Sequence, residues 1–326
     1  MTISSAHCRV WRFVALTCVV ASQPLGCRPA VEPRTTPGQQ HLAAAADPAT
    51  PVAAEVAPES SDANLSINEL VVIPAGEPQL GEAGYDENPL RVAYLSGFRI
   101  NRTEVTAGAY AACVASQGCP PYSAPVTFRI YREPQMEAVM AWMASHCNYG
   151  HPDRRRHPMN CVTRDEAAAY CAAQGQRLPT QEEWEYAGRG LDGRDHPWGD
   201  ERATTGDFSN GSDQALKRNR DALGLDTTRW YAAYDDGFPG TAPVGSFRRD
   251  ASPFGVLDLG GNVSEWTSTF QGELVLLRDS EDRRGHPVVA GTDWMSGRGF
   301  LVSMIAMPAE SVYPWSGFRC AADIDP

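Results

Sequence analysis

The chain has 326 residues, of which 42% are hydrophobic, and it carries a formal net charge of -12. This length supplies material for one large domain or two ordinary ones. The negative charge argues against a polyanionic nucleic acid as the partner, because the sequence contains no strongly basic face. The 29 Gly and 25 Pro predict many loops and few long helices.

The amino terminus has the pattern of an export signal. Basic residues precede the apolar run 13–21, which is too short to span a bilayer. Two processing outcomes are open: simple cleavage, or lipidation at Cys27, because the tripeptide Leu-Gly-Cys that ends there resembles a bacterial lipobox. We favour the lipoprotein, with residues 1–27 as the signal peptide. The expected location is the periplasm or the cell surface, with contact to a membrane only through the lipid anchor.

The next segment, residues 28–66, is rich in Pro, Ala, Thr and Glu and has almost no large apolar side chains. Such a composition buries too little surface to offset the entropy cost of ordering, so the segment is predicted to be a disordered tether. No internal repeat and no second linker follows it. Residues 67–326 are therefore predicted to form one compact mixed domain.

The nine cysteines divide between the leader, which has three, and the predicted domain, which has six. Six cysteines in an exported domain predict three disulfides, although six cysteines can be paired in several ways. Local spacing favours two short-range links, and these leave one long-range pair. The predicted disulfides are Cys113–Cys119, Cys147–Cys161 and Cys171–Cys320.

Helix starts are indicated by capping residues. A threonine followed three residues later by glutamate forms a capping box, in which each side chain satisfies a free backbone N–H of the first turn. One box begins a helix after Thr163 that ends near Gly175, and another begins a helix after Thr180 that ends at Gly190. A further helix is predicted after Thr106.

The helix after Thr180 has an apolar face and an acidic face. Trp184 and Ala187 share the apolar face, because residues three apart are neighbours on a helix. Glu182 and Glu185 are expected to face solvent or a partner. The simplest interpretation is a capped surface helix that docks through its tryptophan.

Short extended runs alternate with turns through the rest of the chain. Apolar runs predict strands at 70–74, 91–95, 98–100, 241–244, 263–266 and 287–290. Between residues 119 and 156 we find no periodic pattern, and this segment is expected to wrap the surface.

A series of short motifs is spread along the predicted domain. They lie at 70–76, 102–106, 169–171, 177–187, 197–199, 240–245, 254–266 and 317–320. In composition and order they resemble those of the formylglycine-generating enzyme family, also called the sulfatase-modifying factor family. The resemblance implies an α+β fold, the family's variant of the C-type-lectin-like fold, which is rich in loops and has short helices and strands.

The resemblance also implies structural calcium at two places. Calcium takes oxygen ligands from carboxylates, amides and backbone carbonyls, and it stabilises loops. From the residues alone, we favour an ordinary turn at Asp236 and an exposed strand residue at Glu265 over calcium ligands. The implied ligands are Asn210, Gly211, Asp236 and Phe238 for one site, and Gly261, Val263 and Glu265 for the other.

The chain departs from the family at the catalytic cysteines. Formylglycine-generating enzymes use two cysteines, separated by four residues, to bind Cu(I) and engage the substrate cysteine. Met295 and Phe300 fall at or near these positions, Thr292 falls at a family serine, and no cysteine lies between Cys171 and Cys320. A thioether is a soft ligand for Cu(I), but a single buried methionine is far more often a packing residue. Copper is therefore not expected.

Three histidines cluster near two cysteines, which raises the question of a metal. In the ergothioneine-type sulfoxide synthases, another branch of the superfamily, iron is held by histidines on an additional helical domain. This chain has the predicted tether in that place. For His146, His151 and His157, beside Cys147 and Cys161, we favour loop histidines next to a disulfide over a zinc site.

The leading hypothesis is an exported, non-catalytic binding or scaffold module of the cell envelope, whose partner is an envelope protein, a peptide or a glycan. The competing hypothesis is a divergent oxidase that converts a peptide cysteine to formylglycine or runs another reaction in the same groove. Residues 289–300 contain no evident pair of a nucleophile and a general base, so the sequence does not indicate which other reaction the groove could catalyse. The groove candidates are Thr292, Trp294, Met295, Ser296, Arg298 and Phe300.

Overall fold

The computed structural model describes residues 68–85, 88–123, 136–225, 231–272, 285–297 and 299–324. All of them belong to one compact unit, Glu59–Pro326. The predicted signal peptide and tether lie outside the described residues, as does Arg298. Among the helices of the described ranges, none is both long and apolar enough to cross a membrane.

Short helices and short strands are joined by long turns, which confirms the predicted α+β class. The α-helices in the described residues are α1 (Ala107–Ala115), α2 (Met136–Ala144), α3 (Arg164–Ala173), α4 (Gln181–Arg189) and α5 (Gln214–Ala222), and two short 3-10 helices lie at Pro152–Arg154 and Arg248–Asp250. The strands are β1 (Leu70–Ile73), β2 (Gln79–Leu80), β3 (Arg91–Val92), β4 (Phe98–Asn101), β5 (Ser264–Phe270), β6 (Pro287–Ala290), β7 (Met304–Ala306), β8 (Ser316–Gly317) and β9 (Ala321–Asp323).

The strands of the described residues form three small sheets. In the sheet β1-β4-β9, Ile100 of β4 lies opposite Val71 on one side and Ala321 on the other. The sheet β7-β6-β5-β8 is antiparallel except for the parallel pair of β5 and β8. β2 and β3 form a separate pair. Because β4 lies between β1 and β9, it joins the first and last strands of the domain.

The predicted helix starts are confirmed. Thr163 and Thr180 accept hydrogen bonds from the backbone N–H of Glu166 and Glu183, and each glutamate accepts one in return from the capping residue. Thr106 caps α1 by accepting from the backbone of the third residue on. Each cap involves residues within one turn, which is why local sequence predicts it.

α4 is buried on more than its predicted face. Trp184 is buried, and its Nε1 donates to Glu265 at 3.0 Å. The prediction that Glu185 faces solvent or a partner is wrong, because this side chain is fully buried. Its carboxylate accepts from Nη1 of Arg189 at 2.7 Å and from the backbone N–H of Gly81 at 2.6 Å. These donors offset the desolvation of the charge.

Two helices lie where the sequence predicts none. α2 is apolar on nearly every side, so it shows no helical alternation of polar and apolar residues. α5 follows Asp213, whose carboxylate accepts from the backbone N–H of Ala215 at 2.8 Å, within a stretch dominated by turn signals. Conversely, residues 241–244 form no strand.

Three clusters of buried side chains form the core of the described residues. The first packs α4 against the sheet β1-β4-β9, and the second joins α1 and α3 to Trp266 and Phe318. The third contains Trp142 of α2 together with Trp294 and Met295. This third cluster supports the loop that follows β6.

The three predicted disulfides are confirmed. Two of them close short local segments, and the third joins α3 to the residue before β9 across a sequence separation of 149. The pairs are Cys113–Cys119, Cys147–Cys161 and Cys171–Cys320.

Candidate functional site

The candidate site is the loop after β6, where the resemblance implies the family's catalytic positions. It starts at Gly291, where φ is 85° and an added Cβ would lie 2.7 Å from the ring of Trp184. Only glycine fits this close approach. The backbone N–H of Trp294 donates to the carbonyl of Asn262 at 3.0 Å. The loop is therefore anchored to the turn that precedes β5.

Trp294 and Met295 belong to the core. Trp294 is 1% exposed, and its ring stacks on His146 with centroids 4.9 Å apart and meets Trp142 edge-on at 5.7 Å. Its Nε1 donates to the carbonyl of Pro314 at 3.0 Å, so the indole N–H is already satisfied. Met295 is 6% exposed in the same cluster. The prediction that Trp294 and Met295 line an open recognition surface is therefore wrong.

The polar groove candidates differ in exposure. Thr292 is buried, and its hydroxyl lies 3.5 Å from the carbonyl of Gly260. Ser296 is half-buried, and its hydroxyl accepts from the backbone N–H of Asp293 at 2.9 Å. Arg298 lies outside the described residues. Of the predicted polar groove residues in the described ranges, Ser296 is thus the accessible one.

Phe300 is the exposed apolar member of the predicted groove, with 55% of its surface accessible. His196 contacts it with ring centroids 6.0 Å apart, and the same imidazole stacks on Trp198 at 4.9 Å. Nδ1 of His196 lies 2.8 Å from the carbonyl oxygen of Gly299, which holds the ring against the loop. We call His196, Trp198 and Phe300 the aromatic ledge.

The aromatic ledge has no signature in the sequence. Trp198 entered only as part of a family motif, and His196 was not singled out. The two residues are separated from Phe300 by about a hundred residues, so no local pattern joins them. The signal present in the sequence is the closely spaced pair His196 and Trp198. These residues lie in the turn at 196–199, and their rings stack on each other.

The cysteines of the described residues are all in disulfides. The sequence has no cysteine between Cys171 and Cys320, and the two residues that the resemblance assigns at or near the family's catalytic pair, Met295 and Phe300, carry no thiol. The described part of the chain therefore holds no thiolate for Cu(I) or for a mixed disulfide with a substrate.

The residues implied for the first calcium site come together. The carboxylate of Asp236 accepts from the backbone N–H of Gly211 at 3.1 Å and from that of Phe238 at 2.9 Å. The amide of Asn210 donates to the carbonyl of Gly240 at 2.8 Å, but its Oδ1 is buried and receives no donor from the described residues. A buried acceptor without a donor, beside a carboxylate, is compatible with a hard cation. These residues fit calcium.

At the second implied site, Glu265 does not fit. Its two oxygens each accept from Arg319 at 2.7 Å, and Oε2 also accepts from Nε1 of Trp184 at 3.0 Å. The carboxylate is fully buried in this ion pair, so its charge is already balanced by a guanidinium. The prediction of Glu265 as a charged calcium ligand is corrected accordingly. Gly261 and Val263 are buried in the turn before β5.

Two of the three histidines near Cys147 have their rings engaged in packing or a hydrogen bond, and the third, His151, is exposed. His146 stacks on Trp294, and Nδ1 of His157 lies 2.9 Å from Oγ1 of Thr241. Burial lowers the pKa of His146, and it lowers the pKa of His157 to about 4. Within the described ranges, no group of three or more His, Cys, Asp or Glu side chains is placed to hold a metal ion.

Comparison with known proteins gives the same family. A family profile described as "Sulfatase-modifying factor enzyme 1-like domain" matches residues 55–324. The formylglycine-generating enzyme of Mycobacterium tuberculosis is 31% identical over 62% of this chain and 74% of its own. A mouse protein named inactive C-alpha-formylglycine-generating enzyme 2 is 33% identical over 51% of this chain, which spans about half (49%) of that relative.

A solved structure supports the fold. The crystal structure of CarF superposes with a TM-score of 0.50 at 20% identity, covering 79% of this chain and 98% of its own. The family match extends over most of the chain, and the arrangement of short helices and strands agrees with it. The chain therefore belongs to the formylglycine-generating enzyme (sulfatase-modifying factor) family and has that family's variant of the C-type-lectin-like fold.

Proposed function

We propose that this chain is a non-catalytic binding module of the cell envelope that retains the groove of its family without the oxidation chemistry. The observation that carries the proposal is that the sequence has no cysteine between Cys171 and Cys320, with Met295 and Phe300 at or near the positions that the resemblance implies for the catalytic pair. Met295 is a core residue, and a phenyl ring offers no ligand to Cu(I). A relative that is itself named inactive supports the existence of such members in the family.

The aromatic ledge is the contact surface in this proposal. Phe300 is accessible and is backed by His196 and Trp198, so the three rings present a rigid apolar surface with polar edges. Aromatic side chains of this kind provide large contact areas at low entropy cost and dominate many binding surfaces. Since relatives act on peptide cysteines, we take an extended peptide segment of another envelope protein as the partner.

Calcium and disulfides have a structural role in this proposal. Asn210 and Asp236 would hold the first ion, which supplies only electrostatic cross-linking between the loops at 210–211 and 236–238. Three disulfides are typical of proteins of oxidising compartments. Together with the lipobox-like Cys27, they support an exported and lipid-anchored protein at the periplasmic or outer face of a membrane.

The absence of catalysis is tested directly. The purified mature chain is incubated with Cu(I), oxygen and a peptide containing Cys-x-Pro-x-Arg, the motif that the family's enzymes modify, and the peptide is analysed by mass spectrometry. We expect no aldehyde above a copper-only control, with the M. tuberculosis enzyme as the positive control. Aldehyde formed by this chain above that control would establish the competing oxidase hypothesis.

The binding role needs its own experiment. A phage-displayed peptide library is panned against the mature chain, and enriched peptides are measured by fluorescence anisotropy. We expect Phe300→Ala to weaken their binding about tenfold or more, as for a central aromatic contact. Phe270→Ala is the matched control, because Phe270 is 49% exposed and lies opposite Pro287, at the other end of β6 from the loop. Equal binding by both variants, or no enriched peptide, would contradict the ledge as the contact surface.

A further inference from the structure

An open cavity of about 1120 Å³ lies on the surface outside the loop after β6. Its walls are Arg156 and three surface loops, at 205–207, 235–238 and 243–249. Three arginines of these walls, Arg156, Arg248 and Arg249, are exposed. The chain as a whole has a net charge of -12, so a cavity lined by three arginines is a local reversal of that charge.

The acidic side chains of the cavity walls already have partners. Asp207 accepts from Arg249 at 3.2 Å, and Asp235 forms an ion pair of 2.6 Å with an arginine of α5. The carboxylate of Asp236 accepts from two backbone N–H groups. The guanidinium of Arg156, in contrast, has no hydrogen bond or ion pair with any described residue. The cavity therefore presents an uncompensated positive charge to solvent.

The backbone that carries these arginines is fixed by hydrogen bonds. The N–H of Gly245 donates to the buried carboxylate of Asp258 at 2.6 Å. The N–H of Val244 donates to the carbonyl of Arg156 at 2.9 Å, which ties the arginine to the loop at 243–249. A ligand thus meets positive charges whose backbone is already in place, and less ordering entropy is lost on binding.

A buried phenyl ring connects the cavity to the aromatic ledge. The ring of Phe208 lies 5.2 Å from that of Trp198, and the guanidinium of Arg249 lies 3.7 Å from the centroid of the same phenyl ring. An extended peptide advances by about 3.3 Å per residue. A segment that contacts the ledge therefore reaches the arginines of the cavity within a few residues.

We propose that the cavity binds acidic side chains of the same peptide segment whose apolar anchor contacts the aromatic ledge. Guanidinium groups hold carboxylates through paired hydrogen bonds as well as through charge. The partner is then an extended peptide with an apolar anchor and, within about six residues of it, two or more Asp or Glu side chains. This inference rests on the proposed binding function and adds a charge requirement to it.

The experiment begins with the peptides enriched by panning on the mature chain. We expect these peptides to be acidic. The probe is the tightest of them, labelled with fluorescein, and its neutral counterpart has Asn and Gln in place of Asp and Glu. The neutral counterpart should bind about tenfold more weakly, because several exposed ion pairs are lost. Binding of the acidic probe should also weaken as the salt concentration rises, since salt screens exposed charges.

Two neighbouring arginines provide the test variant and its control. Arg156→Gln should weaken binding of the acidic probe about threefold to fivefold and leave the neutral counterpart unchanged. Arg155→Gln removes the same charge one residue away, and Arg155 lies outside this cavity. The control should bind both peptides like the wild type. Both side chains are exposed, so neither substitution is expected to affect folding.

The outcomes separate the charge requirement from the proposed function. Binding that is lost in Phe300→Ala but unchanged in Arg156→Gln, or enriched peptides without acidic residues, would overturn the charge requirement and leave the ledge as the contact surface. Equal weakening by Arg155→Gln and Arg156→Gln would assign the attraction to overall charge and not to the cavity. No enriched peptide, or binding that does not depend on Phe300, would contradict the proposed function and this inference together.

Discussion

The imidazole of His146 stacks on the indole of Trp294 with their planes 18° apart. His146 follows α2, whereas Trp294 belongs to the loop after β6, so the contact joins two segments that are distant in the chain. The contact buries Trp294, which is the most prominent aromatic residue among the groove candidates predicted from the sequence. A tryptophan in this position stabilises the loop, and recognition is left to residues that remain accessible.

The role of Trp294 predicts a stability effect. Trp294→Ala should lower the free energy of unfolding by about 3–5 kcal/mol, because it removes a buried ring and one of the two hydrogen bonds that the carbonyl of Pro314 accepts. Urea unfolding followed by far-UV circular dichroism measures this. Phe300→Ala should cost less than about 1 kcal/mol, as expected for an exposed side chain. An unchanged unfolding midpoint in Trp294→Ala would contradict the core role and favour the prediction that Trp294 belongs to the recognition surface.

The position of the lost cysteines predicts a gain of metal binding. The double variant Met295→Cys, Phe300→Cys restores the pair implied by the family, and thiolates are soft ligands preferred by Cu(I). With Cu(I) supplied anaerobically and the three disulfides left oxidised, the double variant should bind one Cu(I) in competition with bicinchoninate, whereas the wild type should bind none. Equal copper binding by the two proteins would show that Met295 is already a ligand, and an inert double variant would show that the loop no longer brings the two positions together.

The disulfides should contribute unequally to stability. By the chain-entropy estimate, the link between Cys171 and Cys320 contributes about 5 kcal/mol and that between Cys113 and Cys119 about 2 kcal/mol, because the first closes a far longer loop. The double alanine variant of each pair is compared with the wild type by urea unfolding. Equal losses, or a larger loss for the short loop, would contradict the entropic explanation.

Protonation of His157 should destabilise the fold in acid. Its pKa is about 4 when folded and about 6.5 when unfolded, so between these values the unfolded chain binds more protons. The contribution of the neutral ring is therefore fully present above about pH 6.5 and is lost as the pH falls towards about 4. His157→Asn, whose amide nitrogen replaces Nδ1 opposite Thr241, should show a shallower loss of unfolding free energy between about pH 7 and pH 5. Parallel pH profiles for the two proteins would exclude His157 as the cause.

Helices differ in how far the sequence predicts them. The starts of α3 and α4 follow from Thr163 and Thr180, because each capping box lies within a single turn and needs no distant partner. The uniformly apolar α2 offers no such signal. Which of its side chains are buried depends only on the segments that pack around it. The burial of Glu185 is unpredictable for the same reason. Its carboxylate accepts from the backbone of Gly81, which is 104 residues away.

The two implied calcium sites also show which features a local motif predicts and which depend on distant residues. The family motifs nominate Asp236, and the structure places it beside Asn210, where a buried amide oxygen lacks a donor. The motifs nominate Glu265 equally well, yet Arg319 neutralises it across 54 residues.

The amino-acid sequence by itself determined the family, the helix caps and the three disulfide pairs, because each is written in residue types at short or characteristic spacing. It also shows that no cysteine lies between Cys171 and Cys320. Only the tertiary structure decided that Trp294 is a core residue, that Phe300 is exposed beside His196, and which buried carboxylates are paired with a cation. Burial and charge compensation depend on neighbours from distant segments, and these neighbours exist only once the chain has folded.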